Sequence, residues 1–479
     1  MIPAWCAAVL AVLAWGALSF GAVYPWAYWP LLIGAVTVGV MGLLTPRRSD
    51  LGRTRPRLTF ALAGIMAAAL LQLGPLPADV LARLSPATVA LVEHPNLTVG
   101  EVNPVADREV SGRPALPLSV APNATWRGLA FLAAFSLLLV GCTRLLSATG
   151  ASGLARGVMV LGFVMALVGI MQKATYDDVI YGFWQPRLGG NPFGPFVNRN
   201  HFAGWMIMAL SLATGEVCAR IARDMRGVRP DWRSRLLWLS SPSANQLVLA
   251  GLAVLVMGLS LVLAMSRSGI ACFALSLVVS GWFVARKQAT RSRRVLNAGY
   301  LTFVFVVAVG WVGVDAVGQR FADADWFALG GRRNAWADAA RIARDFPLAG
   351  TGLNTYGTAT LVYQTHDLDH HYVEAHNDYL QIAAEGGLLL GVPVLIALGL
   401  FVREVRQRFR EGGDDETSYW LRAGAVTGLV AIALQEVVEF SLQVPGNAVL
   451  FVVLAAIALH KAPVPPSRPG RSHRVVRGM

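Results

Sequence analysis

The amino-acid sequence predicts an all-α polytopic integral membrane protein with about twelve transmembrane helices. Of its 479 residues, 55% are hydrophobic and 14% are charged, whereas about 25% of the residues in an average soluble domain are charged. Apolar stretches near the length of about 20 residues that crosses a bilayer recur along the chain. These observations exclude a soluble globular enzyme, a disordered chain and a coiled coil.

Twelve apolar stretches account for this prediction. They cover approximately residues 3–21, 26–44, 58–74, 126–146, 155–173, 201–219, 246–265, 268–285, 297–315, 387–402, 420–440 and 446–460. The third and the tenth are short relative to a bilayer. An even number of crossings leaves both termini on the same side of the membrane.

The arrangement of basic residues predicts that both termini are cytoplasmic. Most of the 41 Lys and Arg residues lie in alternate segments, at 45–57, 144–156, 220–235, 286–294, 403–422 and 461–479. Because positive residues stay on the cytoplasmic side, these segments are predicted to face the cytoplasm. We therefore interpret the net charge of +13 as a signal of membrane orientation and predict no nucleic-acid partner.

The chain divides into three predicted regions. Residues 1–190 hold N-terminal transmembrane helices and an outer loop at about 75–125, and residues 461–479, rich in Pro and Arg, are predicted to form a disordered cytoplasmic tail. Residues 191–460 contain the longest outer loop, at about 316–386, with one helix predicted over Asn334–Phe346 and another from about Ala375 into the tenth span. An ordered loop of this length is usually functional.

Polar residues form four clusters on the predicted outer face, at 196–205, 266–269, 331–336 and 374–387. Arg267 lies where two spans meet with almost no loop, and a guanidinium at that depth is costly unless it is paired or faces a polar cavity. Its alternative role is a headgroup anchor at a helix end. Arg332 and Arg333 begin a predicted helix, where the dipole disfavours cations unless an anion is near. Arginines from separate segments are suited to grip a diphosphate.

Ionisable side chains near these arginines supply the candidates for proton transfer. His376 titrates near neutrality and is a candidate general base toward a hydroxyl, oriented by Glu374 or Asp378; the alternative is a surface histidine in a polar loop. Glu436 and Glu439, near the outer end of the eleventh span, are either functional carboxylates or buried partners of the outer arginines.

A metal site is the less favoured interpretation of the outer loop. Asp367, Asp369, His370 and His371 form a crowded run that is more often solvated than a defined metal centre. The four cysteines lie in apolar stretches without a CxxC motif, so neither a disulfide framework nor a zinc site is predicted. We expect no metal and no cofactor.

A series of motifs runs in order through residues 190–445. It comprises Asn198–Ala203 (NRNHFA), Ser266–Gly269 (SRSG), Gly331-Arg332 with Trp336, Phe346–Gly352 (FPLAGTG), His376–Leu380 (HNDYL) and Glu385–Gly387 (EGG). By this series the chain resembles the O-antigen ligase and polymerase superfamily of bacterial envelope glycosyltransferases. The first 190 residues contribute only hydropathy and the segment Leu118–Trp126 to the resemblance.

The resemblance implies an enzyme of the bacterial inner membrane whose active site faces the periplasm. Such an enzyme takes a glycan from undecaprenyl diphosphate and transfers it to a hydroxyl of lipid A–core, or of another glycan repeat unit. It implies that Arg267 and Arg332 hold the diphosphate and that His376 is the general base. Further substrate contacts are expected from Arg199, Asn200, Arg333, Asn377 and Glu439.

Three functions remain open at the level of sequence. They are an O-antigen ligase, an O-antigen or exopolysaccharide polymerase of the same fold, and a flippase or transporter of lipid-linked sugars. A transporter is expected to have polar residues through the membrane midplane and broken helices. The notable polar groups here collect at the outer end, which favours transfer over transport.

Overall fold

The computed structural model describes residues 3–45, 56–94, 115–175, 179–186, 191–225, 228, 232–287, 291–322, 332–411 and 415–461. These residues are mostly helical, with one antiparallel pair of two-residue strands, β1 (Pro75–Leu76) and β2 (Leu116–Pro117). Gly331 and the predicted tail after residue 461 lie outside the described residues.

The helices are α1 (Ala4–Leu18), α2 (Pro25–Leu44), α3 (Pro56–Leu71), α4 (Ala78–Leu84), α5 (Pro86–Val92), α6 (Pro122–Leu145), α7 (Ala148–Thr175), α8 (Arg199–Asp224), α9 (Trp232–Leu239), α10 (Pro242–Leu263), α11 (Arg267–Lys287), α12 (Arg291–Val312), α13 (Val314–Ala322), α14 (Arg332–Asp345), α15 (Tyr356–Tyr363), α16 (Asp378–Arg410), α17 (Glu416–Gln435) and α18 (Pro445–Leu459). Single 3₁₀ turns lie at Phe20–Ala22 and Ser441–Gln443.

The all-α membrane class is confirmed. Nine of the described helices are long and apolar enough to cross a membrane, and α1, α3 and α18 are shorter apolar helices. Each of the twelve predicted apolar stretches coincides with one of these helices. The count of twelve crossings, the cytoplasmic termini and the region boundaries stay predictions, because the shorter helices fall below the length of about 20 residues needed for a simple crossing.

Helix α8 lies at the centre of the bundle. Its side chains are buried from His201 to Ala222, because α7, α10, α11, α17 and α18 all pack against it. A β-carbon placed on Gly215 would lie 2.6 Å from the Trp420 carbonyl oxygen and 3.0 Å from the Gly424 α-carbon. Small residues on both helices therefore let the α8 and α17 backbones approach closely, as is common in membrane bundles.

The outer loop folds over one end of the bundle and has its own hydrophobic cluster. Ile342 of α14 and Phe346, which follows this helix, pack with Tyr356 of α15. Leu91 and Val120 join them from the earlier outer loop. The predicted helix over Asn334–Phe346 is confirmed within two residues as α14. Thus two loops that are far apart in sequence form one ordered layer above the membrane-spanning helices.

Helix α16 is interrupted at Gly387, where the chain passes from the outer layer into the tenth span. Gly387 has φ 52° and ψ −152°, a conformation accessible mainly to glycine. The segment 346–352 supplies hydrogen bonds at the break: Leu388 N donates to Pro347 O at 2.9 Å, and Gly352 N donates to Glu385 O at 3.0 Å. The FPLAGTG and EGG motifs thus build this junction.

Candidate functional site

Three helices begin with an arginine at the end of the bundle that carries the outer layer. Arg199, Arg267 and Arg332 are the first residues of α8, α11 and α14 as described. Helix N-termini carry partial positive charge and attract anions. A guanidinium at each of these N-termini adds to that charge, so the local electrostatics favour an anionic ligand.

Hydrogen bonds between helices hold these N-termini together. Ser266 Oγ, just before α11, donates to Asn200 Oδ1 of α8 at 2.8 Å. Gln435 Nε2, at the end of α17, donates to the Asn200 carbonyl oxygen at 3.1 Å. Ser268 Oγ donates to Glu439 Oε1 at 3.5 Å. The predicted clusters at 196–205 and 266–269 are therefore adjacent in space.

Glu439 forms an ion pair with Arg332 across 107 residues of sequence. Its side chain is 1% exposed, whereas that of Arg332 is 22% exposed. Burial raises the pKa of the Glu439 carboxyl to about 7, and the charge of Arg332 opposes this shift. Glu439 is thus a buried partner of an outer arginine, and its contact with a substrate stays a prediction.

A fourth arginine, Arg320, was not identified from the sequence. It lies on the short helix α13, and its Nε donates to the Met265 carbonyl oxygen at 3.3 Å. Its charge acts on both Arg199 and Arg267, and Arg332 and Glu439 also act on Arg267. The amphipathic pattern of α13 is the sequence signal that would have identified this helix.

His376 lies next to the Arg332–Glu439 pair. Its ring packs edge-on against Phe440, with centroids 4.8 Å apart, and Trp336 Nε1, one helical turn after Arg332, donates to the His376 carbonyl oxygen at 3.2 Å. Its backbone has φ 52°. Loss of hydration and then the charge of Arg332 lower the pKa of the imidazole to about 4, so His376 is neutral at physiological pH.

The expectation that Glu374 or Asp378 orients His376 is not met by the hydrogen bonds of the described residues. Gln381 Nε2 donates to Glu374 Oε2 at 2.6 Å, and Gln443 Nε2 donates to Asp378 Oδ1 at 2.7 Å. His376 Nδ1 is buried without a hydrogen-bond partner among the described residues. Each of the two carboxyls is thus held by a glutamine rather than by His376.

Two other predicted contacts have a clear position. Asn377 is the N-cap of α16, and its Oδ1 accepts a hydrogen bond from Leu380 N at 3.0 Å. Arg333 is exposed on the first turn of α14. The cap uses only the oxygen of the Asn377 amide, and Arg333 faces solvent. The roles of both residues toward a substrate stay predictions.

The run around His370 does not gather into a metal cluster. Asp367 accepts hydrogen bonds from Asn334 and Tyr372, and His371 Nε2 lies 2.7 Å from the Gly357 carbonyl oxygen. Within the described part of the chain, no group of three His, Cys, Asp or Glu side chains has metal-binding geometry. These residues instead tie the outer loop together.

Comparison with known families agrees with the motifs. Residues 252–395 match the O-antigen ligase family model. The match confirms the predicted resemblance to the O-antigen ligase superfamily, which comprises glycosyltransferase-like ligases and polymerases. No curated protein matches the chain.

The O-antigen ligase match separates the site into two parts. Arg267, Arg332 and His376 lie inside the matched residues, whereas Arg199 and Glu439 lie outside them. Because Glu439 pairs with Arg332, the part outside the match completes the environment of the part inside. The matched residues therefore lie together with α8 and the segment after α17 at this end of the bundle.

Proposed function

We propose that this protein is a glycosyltransferase of the bacterial inner membrane that uses undecaprenyl-diphosphate-linked glycan as its donor. One observation carries the proposal: three helix N-termini that begin with Arg199, Arg267 and Arg332 meet near Glu439, with Arg320 beside them. A diphosphate is the lipid-linked anion that matches several guanidiniums, because each planar fork can donate two hydrogen bonds to phosphate oxygens. The proposed site faces the periplasm.

The reaction is a displacement at the anomeric carbon of the donor sugar. The acceptor hydroxyl forms the new C–O bond, the bond from the anomeric carbon to the diphosphate oxygen breaks, and His376 takes the hydroxyl proton. The arginines offset the charge that builds on the leaving diphosphate. A single displacement inverts the anomeric configuration, and product NMR that shows retention would contradict this mechanism.

The acceptor is a hydroxyl of lipid A–core for a ligase, or of another repeat unit for a polymerase. The donor chemistry is shared, so the residues around Arg332 support both. A lipid-linked sugar flippase is the alternative of another class. The break in α16 is a feature that transporters use at their substrate site, but here the segment 346–352 satisfies the broken backbone, which supports a junction rather than a transport site.

The test is transfer by the purified protein in lipid nanodiscs, with undecaprenyl-diphosphate glycan as donor. We compare wild type with Arg332→Ala and His376→Ala and expect kcat/KM to fall by at least about a hundredfold in each, since both act on the transition state. Matched controls are Arg344→Ala, on the same helix with its side chain 77% exposed, and His366→Ala in the exposed outer loop.

Near-normal transfer by both site variants would remove the catalytic assignment. Equal loss in the control variants would indicate a general effect on folding instead. Lipid A–core and a second repeat unit, supplied separately as acceptors, distinguish a ligase from a polymerase. Movement of the donor lipid across proteoliposomes without any glycan transfer would favour the flippase.

A further inference from the structure

A cavity of about 550 Å³ opens beside the arginine site, at the same end of the bundle. It is lined by the N-terminal ends of α2, α6, α8 and α18 and by the outer loop. The volume lies within the range of about 300–1,000 Å³ that is usual for small-molecule sites. Its position next to Asn198 and His201 makes it a neighbour of Arg199.

The walls of the cavity combine aromatic rings with hydrogen-bonding side chains. The rings include Tyr28 and Phe131, whose centroids are 5.3 Å apart, and the polar groups include Asn198, Glu374 and Gln443. A saccharide presents both kinds of surface, because its C–H faces pack on aromatic rings while its hydroxyls donate and accept hydrogen bonds. The rings and polar groups therefore suit a sugar, and the rest of the wall consists of Val and Pro side chains and Arg127.

Phe440 connects this cavity to the proposed base. Its ring lines the cavity and packs edge-on against both His376, at 4.8 Å between centroids, and His201, at 4.6 Å. A sugar in the cavity is thus one aromatic ring away from His376. Arg199, Arg267 and Arg332 do not line the cavity, so the donor diphosphate and this sugar occupy separate places.

His201 supplies the strongest sign of a ligand. It is 4% exposed and lines the cavity, and neither of its ring nitrogens has a hydrogen-bond partner among the described residues. Buried polar groups in native proteins nearly always have partners. A sugar hydroxyl fits this group, because it can accept from the protonated ring nitrogen or donate to the other.

The cavity is also built from the part of the chain that the family match omits. Of its lining residues only Asn354, Val373 and Glu374 fall within 252–395. The residues proposed to bind the donor, which ligases and polymerases share, lie mainly inside the match. The cavity is built mostly from residues outside the match, so it is the natural place for the substrate that differs between these enzymes. In a transfer reaction that partner is the acceptor.

We propose that this cavity binds the acceptor saccharide and that the His201 imidazole hydrogen-bonds one of its hydroxyls. The inference rests on the proposed function and names the second substrate's place in the same site. His201 is then a substrate-binding residue and Phe131 a stacking platform, while the outer loop closes the cavity through Glu374.

Two variants test the proposal by steady-state transfer, with the acceptor that wild type uses. His201→Phe keeps the ring packing on Phe440 but removes both nitrogens, and Phe131→Ala removes one aromatic wall. In each we expect the acceptor KM to rise at least about tenfold, with the donor KM within about twofold of wild type. Phe135→Ala is the matched control, on the same helix but outside the cavity lining.

Thermal unfolding distinguishes binding from structure. Because His201 nitrogens lack partners, we expect His201→Phe to unfold at or above the wild-type temperature; a lower temperature with unchanged acceptor KM would overturn the proposal. An unchanged acceptor KM in folded Phe131→Ala would also overturn the proposed acceptor site, and normal transfer by wild type would not rescue it.

A binding arm separates this inference from the proposed function. Isothermal titration of delipidated core oligosaccharide and of delipidated repeat-unit glycan needs no donor and no turnover. Glycan binding that His201→Phe weakens supports the cavity even if wild type shows no transfer, in which case the proposed reaction alone fails. If neither delipidated glycan binds and a lipid acyl chain occupies the cavity, the acceptor site is overturned.

Discussion

His376 shows how its surroundings set the chemistry of a single residue. Its left-handed backbone, φ 52°, costs a non-glycine residue about 1–3 kcal/mol and is held by the hydrogen bond from Trp336. Arg332 and the loss of hydration keep the imidazole neutral. A neutral imidazole is the form that can accept a proton from an acceptor hydroxyl.

The pH dependence of transfer follows from this environment. The pKa of His376, lowered from the ordinary 6.5 to about 4, belongs to the free enzyme, which kcat/KM reports. We expect kcat/KM to lose activity on the acid side near pH 4 rather than near 6.5. Bound diphosphate would offset the charge of Arg332 and raise the pKa, so the acid limb of kcat should lie at higher pH.

Pre-steady-state and steady-state rates between pH 4 and pH 8 provide the measurement. Arg332→Gln is the informative variant, because removing the charge should raise the pKa of His376. The acid limb of its residual kcat/KM should therefore lie at higher pH than that of wild type. Acid limbs of kcat and kcat/KM that coincide near pH 6.5 would show that neither loss of hydration nor Arg332 lowers the pKa of the base.

Helix α16 depends on distant parts of the chain. Gln72, which follows α3, is fully buried, and its Nε2 donates to the carbonyl oxygens of Ala349 at 2.7 Å and Glu385 at 2.8 Å, while its Oε1 accepts from Leu353 N at 3.0 Å. One amide thus fastens the interrupted helix to the loop segment beside it. A lone Gln at the end of an apolar stretch gave no signal of this role.

Two glutamines with opposite environments provide a paired prediction. Gln72→Leu leaves the Ala349 carbonyl oxygen and the Leu353 N–H without this partner, while the Glu385 carbonyl oxygen keeps the hydrogen bond from Gly352 N. The loss should lower stability by about 1–3 kcal/mol or more. Gln172, in α7, is also buried, but neither of its side-chain amide atoms has a partner among the described residues. Gln172→Leu should therefore be neutral or stabilising.

Thermal unfolding in one detergent measures both variants side by side. Gln72→Leu should also reduce transfer, since the junction it fastens lies between α14 and the tenth span. Equal destabilisation of the two variants would indicate that Gln172 has a partner in the membrane environment and that apolar replacement as such is harmful.

For the whole molecule, buried ionisable groups on the outer layer set the pH dependence of stability. Loss of hydration raises the pKa of Glu374 from 4.5 to about 8, so the native state keeps a proton that the unfolded chain releases, and stability falls as pH rises through 4.5 to 8. His376 acts oppositely: its stability contribution is lost as pH falls from 6.5 to about 4.

Above pH 6.5 the loss of stability that Glu374 causes is no longer opposed by His376. We expect the unfolding temperature of wild type to fall by a few degrees from pH 6.5 to pH 8, and Glu374→Gln to reduce this slope because the amide does not titrate. Glu93→Gln, on the exposed end of the earlier outer loop, should keep the wild-type slope. A slope identical in all three proteins would contradict the assignment.

Prediction from the sequence succeeded where periodicity and length carry the information. Every predicted apolar stretch coincides with a helix, and α14 lies within two residues of its predicted bounds. The identity of Arg267, Arg332 and His376 as candidates came from motif order. Arg320 and Gln72 were missed as site or junction residues, because their importance comes from partners far away in sequence. His201 was placed in the motif cluster at 196–205 but was given no individual role.

The sequence by itself determined the membrane class, the positions of the apolar helices and the resemblance to O-antigen ligases, since hydropathy and short motifs are local properties of the chain. Only the tertiary structure decided that Glu439 pairs with Arg332, that Arg320 joins the arginines and that Phe440 lies between His201 and His376. The contacts that decide the structure join segments as much as 313 residues apart, as Gln72 and Glu385 do. Packing of the whole bundle and its outer layer brings such segments together, and no local pattern encodes that proximity.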